Sequence, residues 1–314
     1  MLQLDNWREI RVSAPGSIML MGEHAVLYGE RAIACAVDRY MRLRLTRRED
    51  RAVIIRSALA EVQGTLDALP QEPRLSFVLA TVGLYAGRLP AGFELDIESE
   101  FSHTVGLGSS AAVTAALVAA LSAYAGDDTG PQAVFDAALD VIHAVQGRGS
   151  GTDLAASVQG GLIGYRVTPR QLERLPGLPE ICLYYSGYKT RTPDVLERVA
   201  QASKGYEALY LDLYRLMGRT CEQAEAAILR QDWPALGRLM NIYQGLMDAL
   251  GVNDATLAQM VYRLRANPQV LGCKISGSGL GDCVLALGAD DSLACDYQRI
   301  PVAVSPEGVR IEYH

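Results

Sequence analysis

Apolar and polar residues alternate through Glu9-Ile10-Arg11-Val12-Ser13-Ala14, the period of a half-buried strand, and the pattern halts at Pro15-Gly16. A second strand is predicted over 17–22. Two more are predicted over 32–37 and 41–46, with Gly29 turning the connection that precedes them. Residues 53–56 read as a short strand, 75–84 as an amphipathic helix and 92–99 as a strand of period two. The pattern then changes. Residues 111–125 are apolar throughout and rich in alanine, which predicts a helix buried on all sides; the run is too short for a membrane span. A further helix is predicted over 131–146, with Asp136 and Asp140 four apart on one face, followed by a helical 154–159 and a strand at 160–165. Pro169, Pro176 and Pro179 mark a shift in composition, and a domain boundary is placed there, giving halves of 1–172 and 173–314. A strand at 181–186 opens the second half. Helices dominate 193–267 with a break at Gly251, and 282–287 and 302–305 read as strands. The whole predicts a mixed α/β or α+β protein in two halves.

The length of 314 residues suits two domains, and 49% hydrophobic with 21% charged residues excludes a disordered chain. A net charge of -7 argues against a nucleic-acid partner, but leaves room for a small phosphorylated ligand held by local donors. No hydrophobic signal core occupies residues 1–11, and no long apolar run suggests a membrane partner. The expectation is a cytoplasmic protein. Its six cysteines (35, 182, 221, 273, 283 and 295) form no CxxC pair and read as reduced thiols. Only Lys189, Lys204 and Lys274 are lysines.

Three glycine-rich loops carry the candidate chemistry. In Gly106-Leu107-Gly108-Ser109-Ser110-Ala111 the glycines admit close backbone approach to an anion, and a helix start follows with free N–H donors and a positive dipole end. A hydroxyl such as that of Ser110 can also ligate magnesium. The P-loop pattern is absent, and the loose match of 106–111 to a dinucleotide fingerprint lacks the acid-bearing strand expected about 20 residues on. The second loop, 146–153, ends in Asp153, a carboxylate suited to act as a base or merely to cap the next helix. The third, 274–282, again allows close backbone approach. Near the start, Gly22-Glu23-His24 places an acid and an imidazole beside a glycine; taken alone, such a histidine is usually structural, and His103 and His143 read the same way.

In this order and at these spacings, Ala14-Pro15-Gly16-Ser17 through Gly22-Glu23-His24-Ala25-Val26-Leu27-Tyr28-Gly29, then Gly106 to Ala112, then Lys274-Ile275-Ser276-Gly277-Ser278-Gly279, resemble the three motifs of the GHMP kinase superfamily. Within it the chain is most similar to the mevalonate kinases. The resemblance implies a two-domain α/β fold: an N-terminal nucleotide-binding domain with a left-handed βαβ unit, a C-terminal α/β domain, and a cleft between them. It implies transfer of a phosphoryl group from ATP, with Mg²⁺, to the 5-hydroxyl of mevalonate, a small-molecule partner. Asp153 falls on the catalytic aspartate. Gly106, Leu107, Gly108, Ser109, Ser110 and Ala111 fall on the nucleotide cradle, with Ser110 on the metal. Glu23, His24, Ser150, Thr192, Gly277 and Ser278 fall at the substrate end. The segment 143–153 is as similar to phosphomevalonate kinases, for which Arg148, Lys189 and Arg191 would supply extra cations. A related decarboxylase and a non-catalytic ligand sensor also stay open, as does a homodimer.

Two positions depart from the pattern. The first motif ordinarily reads Ala-Pro-Gly-Lys, and here position 17 is serine. Lys189 is expected to supply the missing cation, because phosphoryl transfer is assisted mostly by electrostatics. The family also carries a metal-binding glutamate eleven residues before the aspartate, where this chain has Ile142. The metal is then left to Ser110, the nucleotide phosphates and waters, or to a contribution from Asp153.

Overall fold

A computed structural model describes residues 7–102, 105–288 and 297–314; His103 and Cys295 lie outside them. The first half opens with strands β1 (Glu9–Met21), β2 (Ala32–Arg47), β3 (Ala52–Ser57) and β4 (Glu61–Thr65). Helix α1 (Ser76–Tyr85) and strand β5 (Phe93–Ser99) follow, then helices α2 (Ser109–Ala125), α3 (Pro131–Gln146) and α4 (Thr152–Gln159), and strands β6 (Leu162–Arg166) and β7 (Gln171–Leu175). The second half runs through β8 (Ile181–Tyr185), helices α5 (Thr192–Ala202), α6 (Glu207–Leu229), α7 (Trp233–Ala249) and α8 (Ala255–Arg265), and strands β9 (Gly272–Ser276), β10 (Cys283–Leu287), β11 (Gln298–Ile300) and β12 (Arg310–Tyr313).

The larger sheet runs β12-β1-β2-β5-β3-β4, with β6 on β2 and β7 on β6. The smaller is an antiparallel β11-β8-β10-β9. The alanine-rich α2 packs on β1 and β2, and α1, α3 and α4 surround it. Ala112, Ala115, Ala116, Ala119 and Ala120 are fully buried, as small side chains permit where one helix is enclosed on several sides. In the second half α7 and α8 lie on β9, and α6 on α7. Among the described residues no helix is long and apolar enough to cross a membrane, and Cys35, Cys182, Cys221, Cys273 and Cys283 are buried and form no disulfide.

Two strand expectations need correction. Pro15-Gly16 does not separate two strands. It is a bulge inside one continuous β1, and β2 is likewise a single strand, its register stepping from Tyr40 opposite Pro15 to Val37 opposite Gly16. Proline lacks an N–H and is tolerated at a bulge, so the strand survives it. The kink has a local consequence, because it turns Ser17 toward the loop at 107: the Ser17 N–H donates to the Leu107 carbonyl at 3.1 Å. Pairing in the larger sheet also joins distant parts of the chain. Strand β7 straddles position 172 and pairs with β6 in the larger sheet, and β12 returns from the end of the chain to pair with β1. The larger sheet therefore takes residues from both sides of the expected boundary. The strand expected at 302–305 is only an isolated bridge, Val304 to Val37.

Candidate active site

The nucleotide-type loop is built on close packing. Leu107 is fully buried and Ala111 nearly so, and they moor the loop while Gly106, Gly108, Ser109 and Ser110 stay partly exposed. Gly108, at φ 63, caps α2 in the left-handed region, and a Cβ there would collide with the Ser17 hydroxyl. Ser109 and Ser110 open α2, whose first turn holds no acidic residue to offset the positive dipole end. Gly108→Ala therefore fails twice, by backbone conformation and by collision. A nucleotide titration is expected to lose at least about tenfold in affinity, and unchanged affinity would contradict the assignment of the loop.

Asp153 stands in the first turn of α4, after Gly151 in the left-handed region at φ 81. The buried Ser17 Oγ donates to Asp153 Oδ1 at 2.9 Å. Serine at position 17 thus makes a hydrogen bond to the aspartate but brings no charge. Burial raises the Asp153 pKa, the Ser17 hydrogen bond and the positive charge of Lys189 oppose the rise, and the negative charge of Asp282 adds to it. Lys189 itself lies 3.0 Å from Asp282 Oδ2. Ile142 is buried beneath the loop that leads to Asp153, where a Cβ on Gly149 would touch it at 3.0 Å; it offers packing and no ligand.

The first and third motifs are clamped together by a pair that sequence reasoning missed. Lys274 Nζ lies 2.5 Å from Glu23 Oε1, with both side chains buried. The ammonium also lies 5.4 Å from the Tyr243 ring centroid, the Tyr243 hydroxyl donates to the Glu23 carbonyl at 3.0 Å, and the Gly277 N–H donates to Glu23 Oε1 at 3.4 Å. Burial raises the Glu23 pKa and Lys274 opposes the rise. His24, at φ 61, donates from Nε2 to the Ser278 carbonyl at 2.8 Å. Its pKa is lowered by burial, with the Ser278 contact opposing, which favours the neutral ring; with Nε2 donating, the neutral ring has Nδ1 as its acceptor. Glu23 Oε2 and His24 Nδ1 are both buried without a hydrogen-bond partner among the described residues. Its place at the head of the third motif and the scarcity of lysine are the sequence signals for Lys274.

The remaining expected residues divide. Ser150 Oγ shares a 2.9 Å hydrogen bond with Thr152 Oγ1 beside Asp153. Thr192 is exposed at the start of α5, and it is Thr190 whose hydroxyl reaches the third loop, donating to the Leu280 carbonyl at 2.6 Å. Arg148 is exposed, and Arg191 is paired on the surface with Asp194 at 2.9 Å. Asp282, the last residue of the third loop, proves central: its Oδ1 accepts the Gly106 N–H at 2.9 Å.

Magnesium fits this donor set in one form only. No group of three or more His, Cys, Asp or Glu among the described residues could hold a metal. The oxygens at hand are the Ser110 hydroxyl and the Asp153 carboxylate. Magnesium commonly takes one or two such groups together with substrate phosphates and waters, so the residues suit an ion that arrives with a nucleotide.

Comparison with known proteins bears on the family and the fold. Residues 76–161 match the GHMP kinases N terminal domain and residues 224–295 match GHMP kinases C terminal. A mevalonate kinase of Aeropyrum pernix is 30% identical, over 97% of this chain and 99% of its own. A Lin0012 protein from Listeria innocua has the same fold, with a TM-score of 0.85 at 21% identity, covering 97% of this chain and 99% of that one. The L. major mevalonate kinase in complex with R-mevalonate gives a TM-score of 0.77 at 23% identity, over 94% and 96% of the two chains.

Proposed function

The chain belongs to the GHMP kinase family and is a kinase acting on an alcohol, and from that premise we propose that it transfers the γ-phosphoryl group of ATP to the 5-hydroxyl of mevalonate. The observation that carries this reading is the Ser17–Asp153 hydrogen bond at 2.9 Å, made by a residue whose own N–H is bonded to Leu107 of the nucleotide loop. It sets one carboxylate against the loop that would hold the phosphates.

Asp153 accepts the proton of the acceptor hydroxyl or orients it. A carboxylate whose pKa is raised by burial is the better base. The backbone donors of 106–110 and the start of α2 stabilise phosphate charge. Magnesium bound with the nucleotide, on the Ser110 hydroxyl and the phosphates, would neutralise charge on the transferring group. Lys189 supplies the positive charge that Ser17 does not. His24 presents Nδ1, which has no hydrogen-bond partner among the described residues, to an acceptor hydroxyl. An unphosphorylated acceptor is favoured over 5-phosphomevalonate because Arg191, one of the cations a second phosphate would need, is engaged by Asp194.

Two measurements test this. ADP release with ATP and Mg²⁺ is expected with mevalonate and not with 5-phosphomevalonate, homoserine, galactose or galacturonate; turnover on another of these instead would replace the substrate. Lys189→Ala is expected to lower kcat about 10²-fold with little change in KM for the acceptor, since the lost interaction is made at the transferring group. Wild-type kcat in this variant would remove Lys189 from the mechanism.

A further inference from the structure

Asp282 occupies an unusual position for an acid. It ends a glycine-rich loop with its own backbone in the left-handed region, at φ 69, and is 7% exposed. Its N–H donates to the Tyr188 carbonyl at 2.7 Å and its carbonyl accepts the Ser186 N–H at 2.9 Å, which fastens it to the segment carrying Lys189. Its two carboxylate oxygens then face different partners. Oδ1 takes the Gly106 N–H at 2.9 Å, and Oδ2 lies 3.0 Å from the Lys189 ammonium. Gly106 has to be glycine here, because a Cβ would collide with that carboxylate. An anionic oxygen thus already sits on a donor of the loop that takes phosphate in the proposed function.

We propose that Asp282 is a positioning residue for phosphoryl transfer: Oδ1 holds the place of a nucleotide phosphate oxygen at the Gly106 N–H, while Oδ2 anchors the Lys189 ammonium beside Asp153. This rests on the reading of 106–110 as the nucleotide loop and of Lys189 as the catalytic cation. The incoming nucleotide takes over the first contact and leaves the second. The two oxygens therefore have opposite effects on binding and turnover. The Oδ1 contact competes with the nucleotide and weakens its binding, and the Oδ2 contact keeps Lys189 in place and speeds the chemistry.

The variants Asp282→Asn and Asp282→Gly both suit the left-handed backbone, so neither strains the loop. Calorimetric titration with Mg²⁺ and a non-hydrolysable ATP analogue is expected to show both binding about 3–10-fold tighter than the parent, because a like charge has left the cradle. With mevalonate and ATP, kcat is expected to fall about tenfold or more while KM for ATP also falls, a combination that loss of folded protein does not produce. In a Lys189→Met background Asp282→Asn is expected to change kcat by less than about twofold, because the two act through one ammonium. Unchanged or weaker analogue binding in both variants overturns the Oδ1 role, and this titration needs no acceptor. Additive losses in kcat overturn the anchoring role. If Lys189→Met alone turns over normally, the proposed cation fails first and the anchoring role with it.

Discussion

Asp153→Asn is expected to abolish phosphoryl transfer and at the same time make the protein harder to melt. The loss of turnover follows from removing the group that takes or orients the acceptor proton, a contribution of about 10²–10⁴-fold. The gain in stability follows from the direction of the Asp153 pKa. Burial raises it, so the folded protein binds the proton more tightly than the unfolded chain does. Stability contributed by this group is therefore full in acid, below the unfolded carboxylate range. It declines as pH rises through the window up to the raised folded value, and the ionised group is a standing cost above that window. Asparagine carries no charge at any of these pH values, and its carbonyl still accepts the Ser17 hydroxyl. At neutral pH the variant is expected to melt roughly 2–4 °C higher, and the gap should narrow as the pH is lowered into the carboxylate range. The acid limb of kcat/KM in the parent should correspondingly lie above the ordinary carboxylate value. A variant that melts lower at neutral pH, or that keeps its turnover, would contradict the placing of Asp153 as a buried base.

Lys274→Met carries the largest expected loss of stability. Lys274 is fully buried against Glu23, and removing the ammonium leaves a buried carboxylate with backbone N–H groups, that of Gly277 at 3.4 Å and its own, for compensation. Breaking a buried pair from one side costs about 3–5 kcal/mol, which corresponds to a fall of roughly 6–20 °C in Tm. The double variant Glu23→Gln, Lys274→Met removes both charges and is expected to recover much of that loss, since replacing a whole buried pair by neutral groups is often tolerated. Thermal melts of the two single variants and the double check this directly. A double variant as unstable as Lys274→Met would mean that the loss is one of packing around Tyr243, with the charge pair contributing little. The pair also fixes His24 and the third loop relative to each other, so KM for the acceptor should rise in the single variant.

The local elements are legible in the sequence because their signals are local. The alanine run of α2, the full span of α3 and the period-two β5 all follow from spacing and punctuation. Pro15 misleads because a proline inside a strand ordinarily ends it, and only pairing with β2 keeps β1 continuous. Strand β12 is invisible because Arg310–Tyr313 is short, and its partner lies at the other end of the chain. The site divides in the same way. Asp153 and the loop at 106–110 sit in contiguous motifs, whereas the contacts that make them a site are made across the chain: Ser17 to Asp153, Lys274 to Glu23, Asp282 to Gly106. Each partner looks ordinary in its own neighbourhood. Lys189 stands out in the sequence as one of only three lysines, but its ion pair with Asp282, at the far end of the third loop, is visible only once the chain is folded.

Where the phosphoryl group goes is the most direct test of the proposed reaction. Incubation with ATP labelled in its γ-phosphate, Mg²⁺ and mevalonate, followed by identification of the labelled product, measures it. The expected result is label on the 5-hydroxyl of mevalonate, formed by the parent and lost in Asp153→Asn. Label that remains in bound ATP, or appears only as inorganic phosphate while mevalonate is unchanged, would contradict the proposed reaction.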